Sequence, residues 1–395
     1  MRTDPPALLI TCGDPAGIGP EIVLQACVQQ PAWAQEAVLV GHLPSLERAR
    51  SVLNLDGAVR FQTMDMNQDV WPSASGGVLR VHPIASEVAL SDLAWGQVGR
   101  AAGHVAGPSV RLAAQACLSG RALGLVTAPI HKQALDLAGV PFPGHTELLQ
   151  HASATHLGVA VQDVPVRMML ATPALRTVLV SIHLSLRDAI QAVTRENLLT
   201  TLRITHESES RWLGRAPRIG VAGLTPHAGE GGLMGREEID IIAPALQQAR
   251  SLGLDVSGPH APDTVFMRAR RTQDQAGEFD VVVAMYHDQG LIPIKYLGLD
   301  DGVNVTLGLP LLRTSPDHGT AFDLAGTGRA NPASPTSPTT KKFPARPWAM
   351  APKKPVWSTA APNWPTRVSR PSSAMRFTSA PAASPTSTPP LWAAP

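Results

Sequence analysis

The stretch 218–253, RIGVAGLTPHAGEGGLMGREEIDIIAPALQQARSLG, decides the fold. It opens on a short apolar, β-rich run, breaks in a glycine-rich turn and continues as a long amphipathic pattern from Arg236. A short apolar run followed by a helical period is the repeating half of a strand–helix unit. Moving outward, the same order recurs. ALLIT (7–11) precedes a helical stretch near 20–29, and AVLVG (37–41) precedes PSLERARSVL. ALGLVTAP (122–129) follows a helical segment over about 97–118, and VRMMLAT, TVLVSIH and FDVVVAMYH read as further strands. The alternation predicts an α/β fold with largely parallel sheets. No internal repeat is visible.

The turn in the opening stretch also raises a chemical question, because a bend needs glycines but not an imidazole. His227 follows RIGVAGLTP, His183 ends TVLVSIH and His287 follows FDVVVAMY. In open α/β sheets ligands gather beyond the carboxyl ends of strands. One such histidine reads most simply as a hydrogen-bonded loop residue. Three in equivalent places suit a divalent metal, since neutral imidazoles are common ligands and three leave positions open for substrate. Asp288 directly follows His287, Glu230 lies three residues after His227, and GPHAPDTVF supplies Asp263. They read either as carboxylates that orient ligating histidines or as solvated loop charges.

Two more segments look suited to an anion. GHTELL puts His145 and Thr146 at a helix start, where free N–H groups and the dipole favour phosphate or carboxylate. The plainer alternative is a threonine N-cap with Glu147 in the first turn. Residues 286–320 place Lys295, Asn304 and Arg313 among glycine and proline turns. GDPAGIGPE (13–21), with Gly13, Asp14, Gly17 and Gly19, matches neither GxGxxG nor a Walker A loop. It reads as a tight strand-to-helix turn that lets a ligand such as a cofactor approach closely.

The chain's 395 residues are enough for two cores, and 44% apolar with 16% charged residues fits a globular protein. No run approaches the roughly 18 apolar residues of a membrane span, and the N-terminal apolar run is too short for a signal peptide. Cys12, Cys27 and Cys117 form no CxxC pair, so a reduced, cytoplasmic protein is expected. The net charge of +2 hides an asymmetry: residues 331–395 hold eight Lys/Arg and no acid, leaving 25 basic against 31 acidic side chains before them. A mildly acidic body gives no sign of a nucleic-acid surface. The tail has 15 prolines among 65 residues and no glycine, but also four of the eight tryptophans. It reads as a disordered basic extension or as a frameshifted replacement of a terminal helix.

Taken together, ITCGDPAGIGPEI, TAPIHKQAL with GHTELL, GLTPHAGEGGLMGREEID, YHDQGLIPIKY and GVNVTLGLPLLRTSPDHGTAFDLAGTGRA resemble the 4-hydroxythreonine-4-phosphate dehydrogenase (PdxA) family, over about residues 7–330. GDPAGIGPE is also similar to the GDGIGPE loop of isocitrate and isopropylmalate dehydrogenases. The resemblance implies two α/β/α domains with the active site in the cleft between them: residues 1–128 with 303–330, and 129–302 carrying the metal and substrate site.

It implies one divalent metal per subunit (Zn, Mg, Mn or Co) on His183, His227 and His287, at a homodimer interface with ligands from both chains. Substrate contacts would fall on His145, Thr146, Lys295, Asn304 and Arg313. The implied reaction oxidises 4-phosphohydroxy-L-threonine with NAD or NADP to 2-amino-3-oxo-4-phosphooxybutanoate. That product decarboxylates to 3-amino-2-oxopropyl phosphate, in pyridoxine 5'-phosphate biosynthesis. Lys295, Asp263 and Asp288 are the candidate proton acceptors. Alternatives are a paralogue acting on an acid-sugar phosphate or an aromatic cis-dihydrodiol, and an inactive metal-binding relative. A metallohydrolase using Glu230 as base is a further alternative, but it leaves GDPAGIGPE unexplained. No membrane or nucleic-acid partner is expected.

Overall fold

In the computed structural model the described residues are 8–68, 71, 76–298 and 302–332. The expectations for the tail fall on residues 333–395, outside that set. Among the described residues twelve strands form one sheet. In chain order they are β1 (Leu8–Thr11), β2 (Ala37–Gly41), β3 (Arg60–Thr63), β4 (Val78–Pro83), β5 (Gly124–Thr127), β6 (Arg167–Ala171), β7 (Arg176–Leu179), β8 (Ile219–Ala222), β9 (Val256–His260), β10 (Val281–Ala284), β11 (Val303–Leu307) and β12 (Arg313–Pro316). Their spatial order is β3-β4-β2-β1-β5-β12-β11-β6-β7-β10-β8-β9.

Among the described residues eight of the eleven pairings are parallel, as the alternation predicts. The three antiparallel ones sit together in the middle, at β12–β11, β11–β6 and β6–β7. An odd number of reversals has a simple consequence. The strands from β3 to β12 point one way, and β7, β10, β8 and β9 point the other.

β1, β2, β7, β8 and β10 are almost wholly buried, and such strands read as continuous apolar runs because helices cover both faces. One set of covering helices, Gly19–Gln29, Leu43–Val52 and Arg100–Leu118, lies on the β1 half. Their inward faces close around Leu9, Val38, Leu39 and Leu125. Helix His145–Leu157 joins that half, burying Leu148 and Leu149 in the same cluster. The other half packs Leu170, Leu179, Ala222 and Val282 against Leu291 and Ile294 of helix His287–Leu297. The three cysteines are free and buried, and burial raises all three thiols, Cys27 and Cys117 to about 12. No helix among the described residues is long and apolar enough to cross a membrane.

Candidate functional site

β7, β10, β8 and β9 are consecutive parallel neighbours, so the chain leaves all four at one end of the sheet. His183, His287, His227 and Asp263 all follow those exits, which is where the sequence puts a ligand. The rings of His183 and His287 lie 5.8 Å apart and tilted by 42°. His287 Nδ1 and Asp288 Oδ1 are 2.7 Å apart. A carboxylate can only accept, so Nδ1 carries the proton and the Nε2 lone pair is left for a ligand. This donor chemistry suits a divalent metal. His227 stands apart, on an exposed loop with its Nδ1 3.4 Å from Glu230 Oε2. Among the described residues no three His, Cys, Asp or Glu side chains are grouped closely enough to hold an ion. One chain therefore brings two of the three imidazoles together.

The loop bearing His227 has an unusual backbone. His227, Ala228, Gly229, Glu230 and Gly231 all have positive φ, between 43° and 87°. Non-glycine residues adopt that region at a cost of roughly 1–2 kcal/mol each, so neighbouring structure must enforce it. Glu238, buried in the helical turn Glu238–Ile242, holds the residues that lead into this run. Its Oε1 accepts from the Leu224 and Thr225 amides, both at 2.8 Å, and from Thr225 Oγ1 at 3.0 Å. A Cβ on Gly229 would stand 2.9 Å from Glu238 Oε2, so glycine is required there. Glu238 is not among the residues that the sequence pattern singles out. Its only signal was an acid on the buried side of an otherwise apolar helical period.

The cationic residues gather elsewhere. Arg313 is buried at the start of β12, and its guanidinium donates to Thr127 Oγ1 at 2.8 and 3.1 Å and to Thr306 Oγ1 at 3.0 Å. Burial lowers its pKa to about 10, which leaves it charged near neutral pH. Among the described residues no carboxylate pairs with it. His145 opens the helix His145–Leu157, whose N-cap is Gly144 with no side-chain cap, so Thr146 is not the cap its position allowed. The His145 Nε2 is shut from solvent without a partner, and burial, then the Arg313 charge, hold its pKa well below the usual value. The ring is therefore neutral. Asn304 lies in β11 opposite Leu170 and Ser315. Lys295, at the far end of its helix, pairs with Asp317 at 2.9 Å.

The topology separates Lys295 and Asn304 from the histidines, whereas Arg313 opens β12 level with the exit of β7. Thr127 ends β5, and Asp317 follows β12, whose last residue pairs with the first residue of β11. That is the end of the sheet at which β7, β10 and β8 begin. The Lys295 and Asn304 side of the cationic group and the histidine group thus lie about a strand length apart, roughly 15 Å.

The glycine loop is shaped by its own backbone. A Cβ at Gly13 would meet Pro129 O at 2.3 Å, one at Gly19 would meet Cys12 O at 2.2 Å, and one at Gly17 Thr320 O at 3.0 Å. Asp14 beside them is fully buried. Its Oδ1 accepts from the Ala16 amide at 2.9 Å, while Oδ2 has no hydrogen-bond partner. Burial raises its pKa to about 6, against the lowering effect of the Ala16 amide and the charge of His131. His131 stacks on Phe322 at 5.1 Å with its Nδ1 buried and unpartnered.

Fold and site together define an α/β protein with an imidazole pair at one strand end and an uncompensated buried cation near a helix start. Known proteins resemble this chain. The family model for the pyridoxal phosphate biosynthetic protein PdxA matches residues 33–339. A 4-hydroxythreonine-4-phosphate dehydrogenase of Beijerinckia indica is 47% identical over 329 residues, covering 83% of this chain and 91% of that protein. A D-threonate 4-phosphate dehydrogenase of Pectobacterium atrosepticum is 39% identical, covering 83% and 95%. The crystal structure of 4-hydroxythreonine-4-phosphate dehydrogenase from Klebsiella pneumoniae superposes with a TM-score of 0.73 at 39% identity, covering 83% and 94%. The chain belongs to the PdxA family, and it is an enzyme of the dehydrogenase class.

Proposed function

We propose that the chain oxidises 4-phosphohydroxy-L-threonine with NAD or NADP, the β-keto acid product then losing CO2. The observation that carries this reading is Arg313, a buried cation whose partners are two hydroxyls and no carboxylate. Holding a desolvated charge without a counter-ion is costly, and a bound phosphate removes that cost through charge-assisted hydrogen bonds. Neutral His145 and the uncapped N–H groups at Thr146 add donors on the same anion. Asn304 and Lys295 complete the substrate contacts in this reading, with Asp317 holding the ammonium in place.

His183, His227 and His287 would hold one divalent ion, with Asp288 fixing the His287 tautomer. Such an ion supplies, when bound, positive charge beside the alcohol under oxidation. The loop at Gly13, Asp14, Gly17 and Gly19 is the candidate approach for the nicotinamide cofactor. Its unpartnered polar group is the buried Asp14 Oδ2. Asp263, Asp288 and Lys295 remain the candidates for taking the hydroxyl proton. Two of them already have partners, Asp288 in His287 and Lys295 in Asp317.

The strand length between the histidines and the Lys295–Asn304 side, roughly 15 Å, bears on assembly. In our reading a second copy of the chain closes the gap, so that one active site draws on two subunits. Leu186, Leu233, Met267, Ile292 and Tyr296 support it, being large apolar side chains left 60–90% exposed around the histidine loops and their helix. Within each chain we propose the division into 1–128 with 303–330 and 129–302, although helix His145–Leu157 of the second segment packs on the first half.

The test is turnover of purified protein with 4-phosphohydroxy-L-threonine, each nicotinamide and a panel of divalent metals. Reduced-cofactor absorbance and released CO2 are followed, with D-threonate 4-phosphate and an aromatic cis-dihydrodiol as rival substrates. His227→Ala should abolish turnover while the thermal transition stays. Equal turnover of that variant in the presence of chelator removes the metal assignment.

A further inference from the structure

We infer that Arg48 is a positioning residue that, backed by Trp95, locks the glycine loop 13–19 in the shape that receives the nicotinamide cofactor. The inference rests on the cofactor reading of that loop and deepens it. Arg48 lies half-buried in helix Leu43–Val52 and directs its guanidinium at backbone. Its Nη2 donates to the Pro15 carbonyl at 3.0 Å, inside the glycine loop, and its Nη1 to the Leu93 carbonyl at 2.5 Å. The face of the same group lies 3.8 Å from the centre of the Trp95 ring. One side chain thus joins the loop to the segment 93–96 by two hydrogen bonds and a cation–π contact.

Backbone holds the loop on its other sides. The Asp14 amide donates to the Pro129 carbonyl at 2.8 Å, the Gly96 amide to the Ala16 carbonyl at 2.8 Å, and the Ile18 amide to the Thr320 carbonyl at 3.1 Å. The segment that carries Thr320 is fixed in turn by Glu21, fully buried in the first turn of helix Gly19–Gln29. Its Oε1 accepts from the Gly326 amide at 2.6 Å and its Oε2 from the Gly328 amide at 2.8 Å. A Cβ on Gly326 would stand 2.7 Å from the Trp95 ring, so the indole is pressed between this backbone and the Arg48 guanidinium. Burial lowers the Arg48 pKa, and the Glu21 charge opposes that.

The two carbonyls that Arg48 meets lie in turns, away from any strand ladder, where a buried oxygen needs a donor from elsewhere. A planar fork lying on an aromatic face has one orientation, and that orientation fixes both carbonyls at once. An ammonium would meet one carbonyl and leave the other free to move. Glycines give the loop no side chains with which to hold itself, so losing the fork opens other backbone arrangements to it. A ligand that needs one arrangement binds more weakly in proportion to the fraction of molecules that hold it, and a fraction of one tenth costs about 10-fold. The buried, unpartnered Asp14 Oδ2 is the group whose placement this shape decides.

The experiment titrates the full chain with NADH and with NADPH by calorimetry, beside steady-state kinetics. Arg48→Met removes the fork and should weaken the better-bound nucleotide about 10-fold. The KM for the oxidised nucleotide should rise in parallel, while that for 4-phosphohydroxy-L-threonine stays within about 2-fold. Arg48→Lys keeps the charge without the fork and should bind as weakly as Arg48→Met. Trp95→Ala should also weaken binding, and Trp95→Phe, which keeps an aromatic face, should return it to within about 3-fold of the parent. Should Arg48→Met lose its cooperative unfolding transition, Arg48→Lys decides the matter, and parental affinity in that variant overturns the inference. Variants that melt earlier but bind nucleotide like the parent overturn it as well, since Arg48 then has a structural role alone. Asp14→Ala separates this inference from the reading beneath it. If Asp14→Ala weakens nucleotide binding while both Arg48 variants bind like the parent, the cofactor reading stands and the positioning role is overturned. If all three bind like the parent, or the parent binds neither nucleotide, the cofactor reading has failed and the inference with it.

Discussion

Arg313 and Asp14 are ionisable side chains held out of water, and each makes a prediction at the level of one residue. For Arg313 the missing counter-ion predicts that Arg313→Ala raises KM for the phosphorylated substrate about 10- to 100-fold, in line with hydrogen bonds to charged groups. Arg313→Lys should not restore it, because a point charge cannot span Thr127 and Thr306 as the guanidinium fork does. Steady-state kinetics on both variants checks this. Asp14 works in the other direction. Its folded pKa of about 6 lies above the 3.8 of an ordinary aspartate. Its protonated form therefore favours folding, fully so below about pH 4, and that contribution is lost as pH rises through 6. Asp14→Asn stays neutral throughout and keeps the Oδ1 acceptor. It should be more stable than the parent near pH 8, by on the order of 3 kcal/mol, and the gap should close near pH 4. Melting temperatures across that window give the answer.

At the level of elements, the loop 225–235 shows what glycine does in this chain. Gly229 and Gly231 both have positive φ, but only Gly229 faces a neighbour that a Cβ would strike. Gly231→Ala should cost about 1 kcal/mol for backbone alone, and Gly229→Ala clearly more, since it also pushes on Glu238. Thermal unfolding of the pair separates the two terms. Other elements were hidden from the sequence for identifiable reasons. Helix Arg195–Leu213 buries Leu198, Thr201, Leu202, Thr205 and Glu209. The spacing is helical, but threonines and an acid occupy positions where the period shows only if they are apolar. Glu209 is tolerated there because Arg176 meets it at 2.6 Å. Residues 303–316 read as a run of glycine and proline turns, yet they form β11 and β12, a hairpin inside the sheet. His287–Leu297 also turned out helical despite Pro293.

For the whole molecule the prediction concerns assembly. Leu233 is 77% and Met267 72% exposed, near the histidine loops. Replacing both by aspartate should leave the fold intact and convert the proposed dimer into a monomer by sedimentation. It should also abolish turnover if one site draws on two chains. A variant that stays dimeric and active argues against this surface as the contact. The alternation of short apolar runs with helical periods determined the α/β class and the buried parallel strands. The same pattern placed each histidine just beyond a strand, because residue periodicity and strand exits are local properties of the chain. Tertiary structure alone decided that the sheet reverses at three central pairings. It also decided that His183 meets His287 while His227 does not, and that Arg313 is buried without a counter-charge. Those outcomes depend on which strands become neighbours, and the deciding contacts, β11 on β6, His183 on His287 and Arg313 on Thr127, join residues more than a hundred positions apart that leave no periodic trace in the sequence.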